Sequence, residues 1–311
     1  MERSLLIGLI VLAVIIILSF LIALFVFTLP KDGGISLTGE NVQVIEIKGP
    51  IQAEKTASIL GGTKVAASTV LVEELKKAKD NPSIKAVVLE INSPGGTVVA
   101  SKEIGNAIKE LKKEKPTVAW IREVGASGGY WIASCTDWIV ADELSVTGSI
   151  GVVGSILSFE GLLDRYNITY QQLISGKYKD AGSPFRDMTP QETALFQERL
   201  DIIHDAFIRE VSNNRNIEYN KVKEMATGMF YLGGQAKNLG LVDELGGKTE
   251  VENYMKKRLN AEKINFIQKK KTVGLFDILT QGMSEASFNM GRGLAYELKQ
   301  TRVSNEVQLL I

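Results

Sequence analysis

Three regimes of apolar spacing follow one another along the chain. Residues 5–29 are apolar throughout: no charged side chain interrupts them, and Ser19 and Thr28 are their only hydroxyl residues. As a helix they would extend about 37 Å, enough to cross a ~30 Å hydrocarbon layer with some tilt. A cleavable signal peptide has a shorter apolar core of ~7–15 residues and a small-residue cleavage site, which Thr28-Leu29-Pro30 matches poorly. The pattern predicts a retained transmembrane anchor over residues 1–30. Arg3 and the terminal amine precede it, and Lys31-Asp32 nearly cancels behind it, so we expect the N-terminus in the cytoplasm and the body on the extracytoplasmic side.

A Gly-rich linker over 31–40 leads into the second regime, in which period-2 and unbroken apolar runs alternate with helical spacing. Val42–Ile47 has strand composition and ends at Gly49-Pro50. Ser68–Lys79 reads as a helix stopped by Asn81-Pro82, and Lys85–Ile91 as a buried strand running into Asn92-Ser93-Pro94-Gly95-Gly96. Ala100, Ile104, Ile108 and Leu111 recur at helical spacing up to Pro116. The strand Thr117–Ile121 then leads to Gly125-Ala126-Ser127-Gly128-Gly129, and Thr189-Pro190 opens a long amphipathic helix to about Asn213, with Phe196, Leu200, Ile203 and Phe207 as its apolar stripe. Such alternation predicts an α/β fold with a largely parallel sheet covered by helices.

The third regime lies in the tail, residues 261–311. Leu275, Leu279, Met283, Ala286, Met290 and Leu294 form a helical stripe behind the basic run Lys269-Lys270-Lys271. It can pack on protein or rest on an anionic membrane surface.

Composition narrows the chemistry. Lys+Arg and Asp+Glu both number 36, so no basic excess points to a nucleic-acid partner. One cysteine, Cys135, excludes an internal disulfide, and one histidine, His204, excludes a His-rich metal site; no metal or cofactor is expected. Gly125-Ala126-Ser127-Gly128-Gly129 satisfies the G-x-S-x-G nucleophile pattern, in which flanking glycines let a serine occupy a tight turn. Alternatively, Ser127 merely caps a helix. Any serine–histidine enzyme must use His204, which lies within the predicted long helix. A lysine can replace histidine if it is neutral, and at its ordinary pKa of ~10.4 only about one in 2,500 is neutral at pH 7. Gly176-Lys177-Tyr178-Lys179-Asp180, following a strand-like Gln172-Leu173-Ile174, offers two candidates on one face, although solvated surface lysines fit the composition equally. Cys135 reads as a small buried apolar residue, and Asp164, Asp180 and Asp187 as solvated surface charge.

Five segments occur in order: Asn92-Ser93-Pro94-Gly95-Gly96, Ala126-Ser127-Gly128-Gly129-Tyr130, Thr147-Gly148-Ser149-Ile150-Gly151-Val152, Gly176-Lys177-Tyr178-Lys179-Asp180 and Gly240-Leu241-Val242-Asp243-Glu244-Leu245-Gly246. Together they resemble the signal peptide peptidase A family of membrane-anchored serine proteases (peptidase family S49), in its short single-copy form. The resemblance implies a Clp protease/crotonase-like α/β fold with repeated β-β-α units, here over residues 41–260. It implies Ser127 as nucleophile and Lys179 as general base, Gly96 and Gly128 as oxyanion-hole amides, and Ser149 orienting the lysine. It further implies a membrane-bound endopeptidase for hydrophobic peptides such as cleaved signal peptides, assembled as a homo-oligomeric ring. The alternatives are an anchored α/β-hydrolase esterase using Ser127 and His204, and a non-catalytic membrane scaffold. If the groove desolvates its lysine, it should favour small or apolar side chains near the cut.

Overall fold

The computed structural model describes residues 39–54 and 65–268, together with Val14 and residues 16–20. Val14 and residues 16–20 are helical, and their apolar side chains are exposed. The rest of the expected anchor, the linker and the tail stripe lie outside the described residues. Among the described residues, no helix is long and apolar enough to cross a membrane.

From Glu40 onward the chain forms a second unit built on an eight-stranded sheet. Six strands run in the spatial order β10–β1–β4–β5–β6–β9: β1 (Glu40–Lys48), β4 (Ala86–Ser93), β5 (Thr117–Ala126), β6 (Trp138–Ala141), β9 (Glu244–Leu245) and β10 (Ile264–Gln268). Every pairing along this path is parallel. Past the edge of that path, β7 (Val146–Gly148) pairs in parallel with the end of β5, and antiparallel with β8 (Phe230–Leu232). Two short strands, β2 (Ile51–Gln52) and β3 (Ala66–Ala67), pair separately.

Parallel sheets need both faces covered, which is why the β4 sequence, Ala-Val-Val-Leu-Glu-Ile-Asn-Ser, reads as a nearly unbroken apolar run. Successive side chains enter different layers. Val87, Leu89 and Ile91 join a core with α1 (Ser68–Asp80), α2 (Val98–Lys112) and α3 (Gly128–Ser134), to which α5 (Pro190–Arg215) also contributes. Ala86 and Val88 join a smaller core with Val251 and Met255 of α8 (Lys248–Leu259). The predicted stripe on α2 is buried at Ala100, Ile104, Ile108 and Leu111. The architecture fits the α/β Clp-protease-like fold that the resemblance implies.

Two expectations change. Gln172-Leu173-Ile174 is not a strand, because no ladder partner reaches it, and residues 175–182 form successive turns. The whole stretch 151–189 holds a single short helix, α4 (Glu160–Arg165), and none of its residues is buried. On α5, burial is carried by Phe207, Ile208 and Val211, with Phe207 stacked on Trp131 at 4.8 Å between centroids. Phe196, expected in that apolar stripe, is 41 % exposed. Two short helices, α6 (Tyr219–Met225) and α7 (Gly233–Asn238), complete the order.

Candidate active site

Strand β5 runs past the five predicted residues, through Gly125 and Ala126, and ends where α3 begins. Ser127 occupies that junction with φ 52° and ψ −121°, a sparsely populated conformation for a residue bearing a Cβ. Its amide donates to the Gly148 carbonyl at 2.8 Å and its carbonyl accepts from Trp131 N at 2.9 Å. The strained turn is thus held by the β5–β7 pairing on one side and by the first turn of α3 on the other. Strand ends in a parallel sheet are the ordinary location for a ligand crevice.

The loop after β4 lies against this junction. The Ser93 hydroxyl donates to the Gly49 carbonyl at 2.7 Å and accepts from Gly95 N at 3.1 Å, fixing the loop's course. Gly95 has φ +99°, and a Cβ there would sit 2.6 Å from Gly128 N. A Cβ on Gly96 would collide with the backbone of Ile51, and one on Gly128 with the Ser101 hydroxyl. These glycines are therefore required by close backbone approach, and the approach sets the Gly95-Gly96 backbone beside Gly128. The Gly128 amide is first in α3, where no carbonyl four residues back within the helix can receive it.

Beside Ser127 lies a cavity of about 260 Å³. Its walls include Ser149, Val152, Val153 and Gly228, and, from α5, Gln197, Leu200, Asp201 and His204. Ser149 also has positive φ, 51°; its amide donates to the Met229 carbonyl at 3.1 Å and its hydroxyl to the Gly228 carbonyl at 3.0 Å. The lone pairs of that hydroxyl stay available to accept from an amine.

The predicted residues divide into two groups. Ser127 and Ser149 line one cavity, with the Gly95-Gly96 loop and Gly128 packed against the Ser127 turn. Lys179 is exposed and is not among the residues lining that cavity. Its turn is nonetheless anchored. Asp180 accepts from Arg186 Nε at 2.9 Å, and the same guanidinium donates to both carboxylate oxygens of Glu192, at 2.8 and 2.9 Å. Glu192 also completes the capping box of α5 with Thr189. The Arg186 hydrogen bonds, helped by those from Thr189, hold the Glu192 carboxyl down at about 2. Asp180 is therefore a structural clamp and not the solvated charge its sequence context suggests. Asp187 likewise accepts a hydrogen bond from the Ser158 hydroxyl. An acidic residue after a lysine carries no sign of this in the sequence.

His204 is half-buried on the predicted long helix; it lines the Ser127 cavity, and its Nε2 is buried with no hydrogen-bond partner among the described residues. Cys135 behaves as expected: it is fully buried, and burial pushes its thiol up to about 12. No group of three or more potential metal ligands occurs among the described residues.

A strained serine lies between two close-packed glycine turns, at the C-terminal edge of a parallel sheet and beside a cavity. Residues 109–262 match the model of peptidase family S49. A protein of Methanocaldococcus jannaschii named "Putative protease MJ0651" is 32% identical over 243 residues, covering 77% of this chain and 76% of that one. One of Enterococcus faecium named "Putative signal peptide peptidase SppA" is 38% identical over 185 residues, 59% of this chain and 54% of its own. The chloroplastic serine protease SPPA of Arabidopsis thaliana is 28% identical over 285 residues, 89% of this chain and 42% of its own. The chain belongs to peptidase family S49. Family and relatives together support a serine peptidase.

Proposed function

We propose that the protein is a membrane-anchored endopeptidase in which Ser127 is the nucleophile and Lys179 the general base. The observation that carries this reading is the backbone of Ser127, held at φ 52° against the Gly95-Gly96 loop and opening onto a cavity. Neutral Lys179 Nζ takes the Ser127 hydroxyl proton as Oγ bonds to the peptide carbonyl carbon. The carbonyl π electrons move onto oxygen, where the Gly96 and Gly128 amides donate to it. As the C–N bond breaks, the lysine returns its proton to the leaving amine. Water then adds to the acyl-enzyme with the same lysine as base, releasing the acid and restoring Ser127.

Lys179 belongs to the uncovered stretch 151–189, which exposes Val153, Leu157 and Leu173 by 85, 67 and 90%. So much exposed apolar surface favours cover by another copy of the chain, and this supports a homo-oligomeric ring. In that assembly Lys179 acts on the Ser127 of a neighbouring copy. Substrates are hydrophobic peptides, cleaved signal peptides among them, as the name of the Enterococcus relative suggests for that protein. Residues 5–29 hold the enzyme in the lipid bilayer with its body extracytoplasmic, and the exposed apolar side chains of Val14 and residues 16–20 are consistent with lipid contact.

The test uses the full chain in detergent. A serine-directed fluorophosphonate should label the wild type and not Ser127→Ala. Mixing inactive Ser127→Ala and Lys179→Ala chains under conditions of subunit exchange should restore part of the activity; no recovery would refute delivery across an interface. A second reading rests on the shared cavity of Ser127 and His204, in which His204 is the base. His204→Ala separates the two, since abolished cleavage is required only if His204 takes the proton.

A further inference from the structure

Gln197, Leu200, Asp201 and His204 fall at i, i+3, i+4 and i+7 of α5, so one helix face supplies a wall of the cavity beside Ser127. Gln197 Nε2 donates to Asp201 Oδ1 at 2.7 Å, which orients the carboxylate and leaves Oδ2 to accept. The neighbouring bases of the helix are engaged elsewhere. Arg199 donates to the Leu195 carbonyl and pairs with Glu198, and Arg209 pairs with Asp205. No lysine or arginine lines the cavity, so Asp201 is its one formally charged wall residue. The same space holds the Ser149 hydroxyl, which donates to the Gly228 carbonyl and can still accept.

An amine that is to deprotonate Ser127 arrives with two N–H donors and one lone pair. The lone pair must face the serine hydroxyl, and each donor needs an acceptor once water is excluded. Ser149 supplies one acceptor and Asp201 the other. We propose that Asp201 is a positioning residue for the general base: it holds the amine of a neighbouring copy's Lys179 beside Ser127 and is its counter-ion when that amine becomes ammonium. The inference rests on the delivery of Lys179 between copies proposed above and names the residue that receives it. In the acylation step the Ser127 O–H bond breaks and an N–H bond forms, so a cation appears at Nζ while an anion appears on the former carbonyl oxygen. The Gly96 and Gly128 amides meet the anion, and Asp201 meets the cation. That cation exists only once the proton moves, so Asp201 favours the transition state over the bound substrate. It disappears again when the lysine protonates the leaving amine. His204 is the other titratable wall residue, and residues 149–153 and 227–228 contribute none. On the lysine's own turn the charged neighbours are Lys177 and Asp180, the latter held by Arg186.

The test records kcat/KM against pH for the full chain in detergent. Asp201→Asn keeps the shape of the side chain and an acceptor for Gln197 while removing the charge. It should lower the alkaline plateau about threefold, the scale of one partly exposed charge pair. It should also move the midpoint of the acid limb to lower pH by about half a unit, because a carboxylate favours the protonated amine. Asp201→Glu should keep both near wild type, and the midpoint shift should persist in a His204→Gln background. Mixing chains then assigns the copy. Placed in the Lys179→Ala chain, which brings the working Ser127, Asp201→Asn should impose the lower plateau and midpoint on the activity recovered with Ser127→Ala chains. Placed in the Ser127→Ala chain, it should leave that recovered activity as it was. A midpoint that Asp201→Asn does not move, or an effect that follows the lysine-bearing chain, overturns the inference while recovery on mixing stands. No recovery on mixing would refute delivery between copies, and the inference with it.

Discussion

The two candidate catalytic side chains stand on opposite kinds of structure. Ser127 ends a strand whose neighbour, β4, is buried at every position but Asn92, and its strained backbone is held by hydrogen bonds on both sides. Lys179 lies in a stretch of nearly forty residues, 151–189, where no residue is buried and α4 is the one regular element. A strained conformation persists only where its surroundings over-determine it, which a packed parallel sheet does. A side chain that needs an apolar setting to lose its proton cannot obtain it from an uncovered loop. Its own chain supplies that loop with an anchor, the Asp180–Arg186–Glu192 network, and in the assembly we propose a second copy supplies the covering surface.

The largest expected effect tests whether regions so different act as one unit. Ser127→Ala and Lys179→Ala should each lower kcat/KM by about 10⁴-fold or more, with the double variant little worse, as for other coupled residues. Peptide hydrolysis measures this, and comparable activity in Lys179→Ala and wild type would sink the dyad. Next, Leu89→Ala should cost roughly 2–5 kcal/mol in chemical denaturation, because Leu89 is 0% exposed in the central strand. Leu173→Ser should change that stability by less than ~0.5 kcal/mol while weakening self-association in analytical ultracentrifugation. Equal destabilisation by both would erase the contrast.

Smaller effects belong to the anchor of the lysine turn. Arg186→Ala should reduce activity about tenfold by freeing that turn, with no change in the far-ultraviolet spectrum. The Glu192 carboxyl drops from 4.5 to about 2 on folding, so its contribution is fully present above pH 4.5 and is lost as pH falls towards 2. Hydrogen exchange at residues 176–192 should rise across that window, and Arg186→Ala should remove most of the pH dependence. Smallest of all, Lys177→Ala should change the rate less than about twofold, since Lys177 is exposed and its contacts, a 3.4 Å hydrogen bond to Gln191 and a place 4.9 Å above the Tyr178 ring, are both at the surface.

Much of this molecule was legible in its pattern of residues. Period-2 and period-3.6 spacing located β1, β4, β5, α1, α2 and α5 to within a few residues, because burial on a sheet or helix face imposes those periods whatever the partner. The turn at Ser127 was legible because glycines mark positions where backbone meets backbone. What spacing could not carry is which surfaces face each other. The stretch around Gln172 has strand composition but no ladder to join, and composition contains no information about a missing neighbour. Asp180 looked like surface charge until the fold brought Arg186 and Glu192 against it, because an ion pair is decided by distance and not by residue type. His204 belonged to no motif. Its place in the Ser127 cavity follows from the packing of Phe207, Ile208 and Val211, which turns Gln197, Leu200, Asp201 and His204 towards Ser127. The sequence alone determined most of the elements and the turn at Ser127, since these depend on local periodicity and sterics. Tertiary structure decided the walls of the cavity, since these depend on rotations of whole helices that no local pattern encodes.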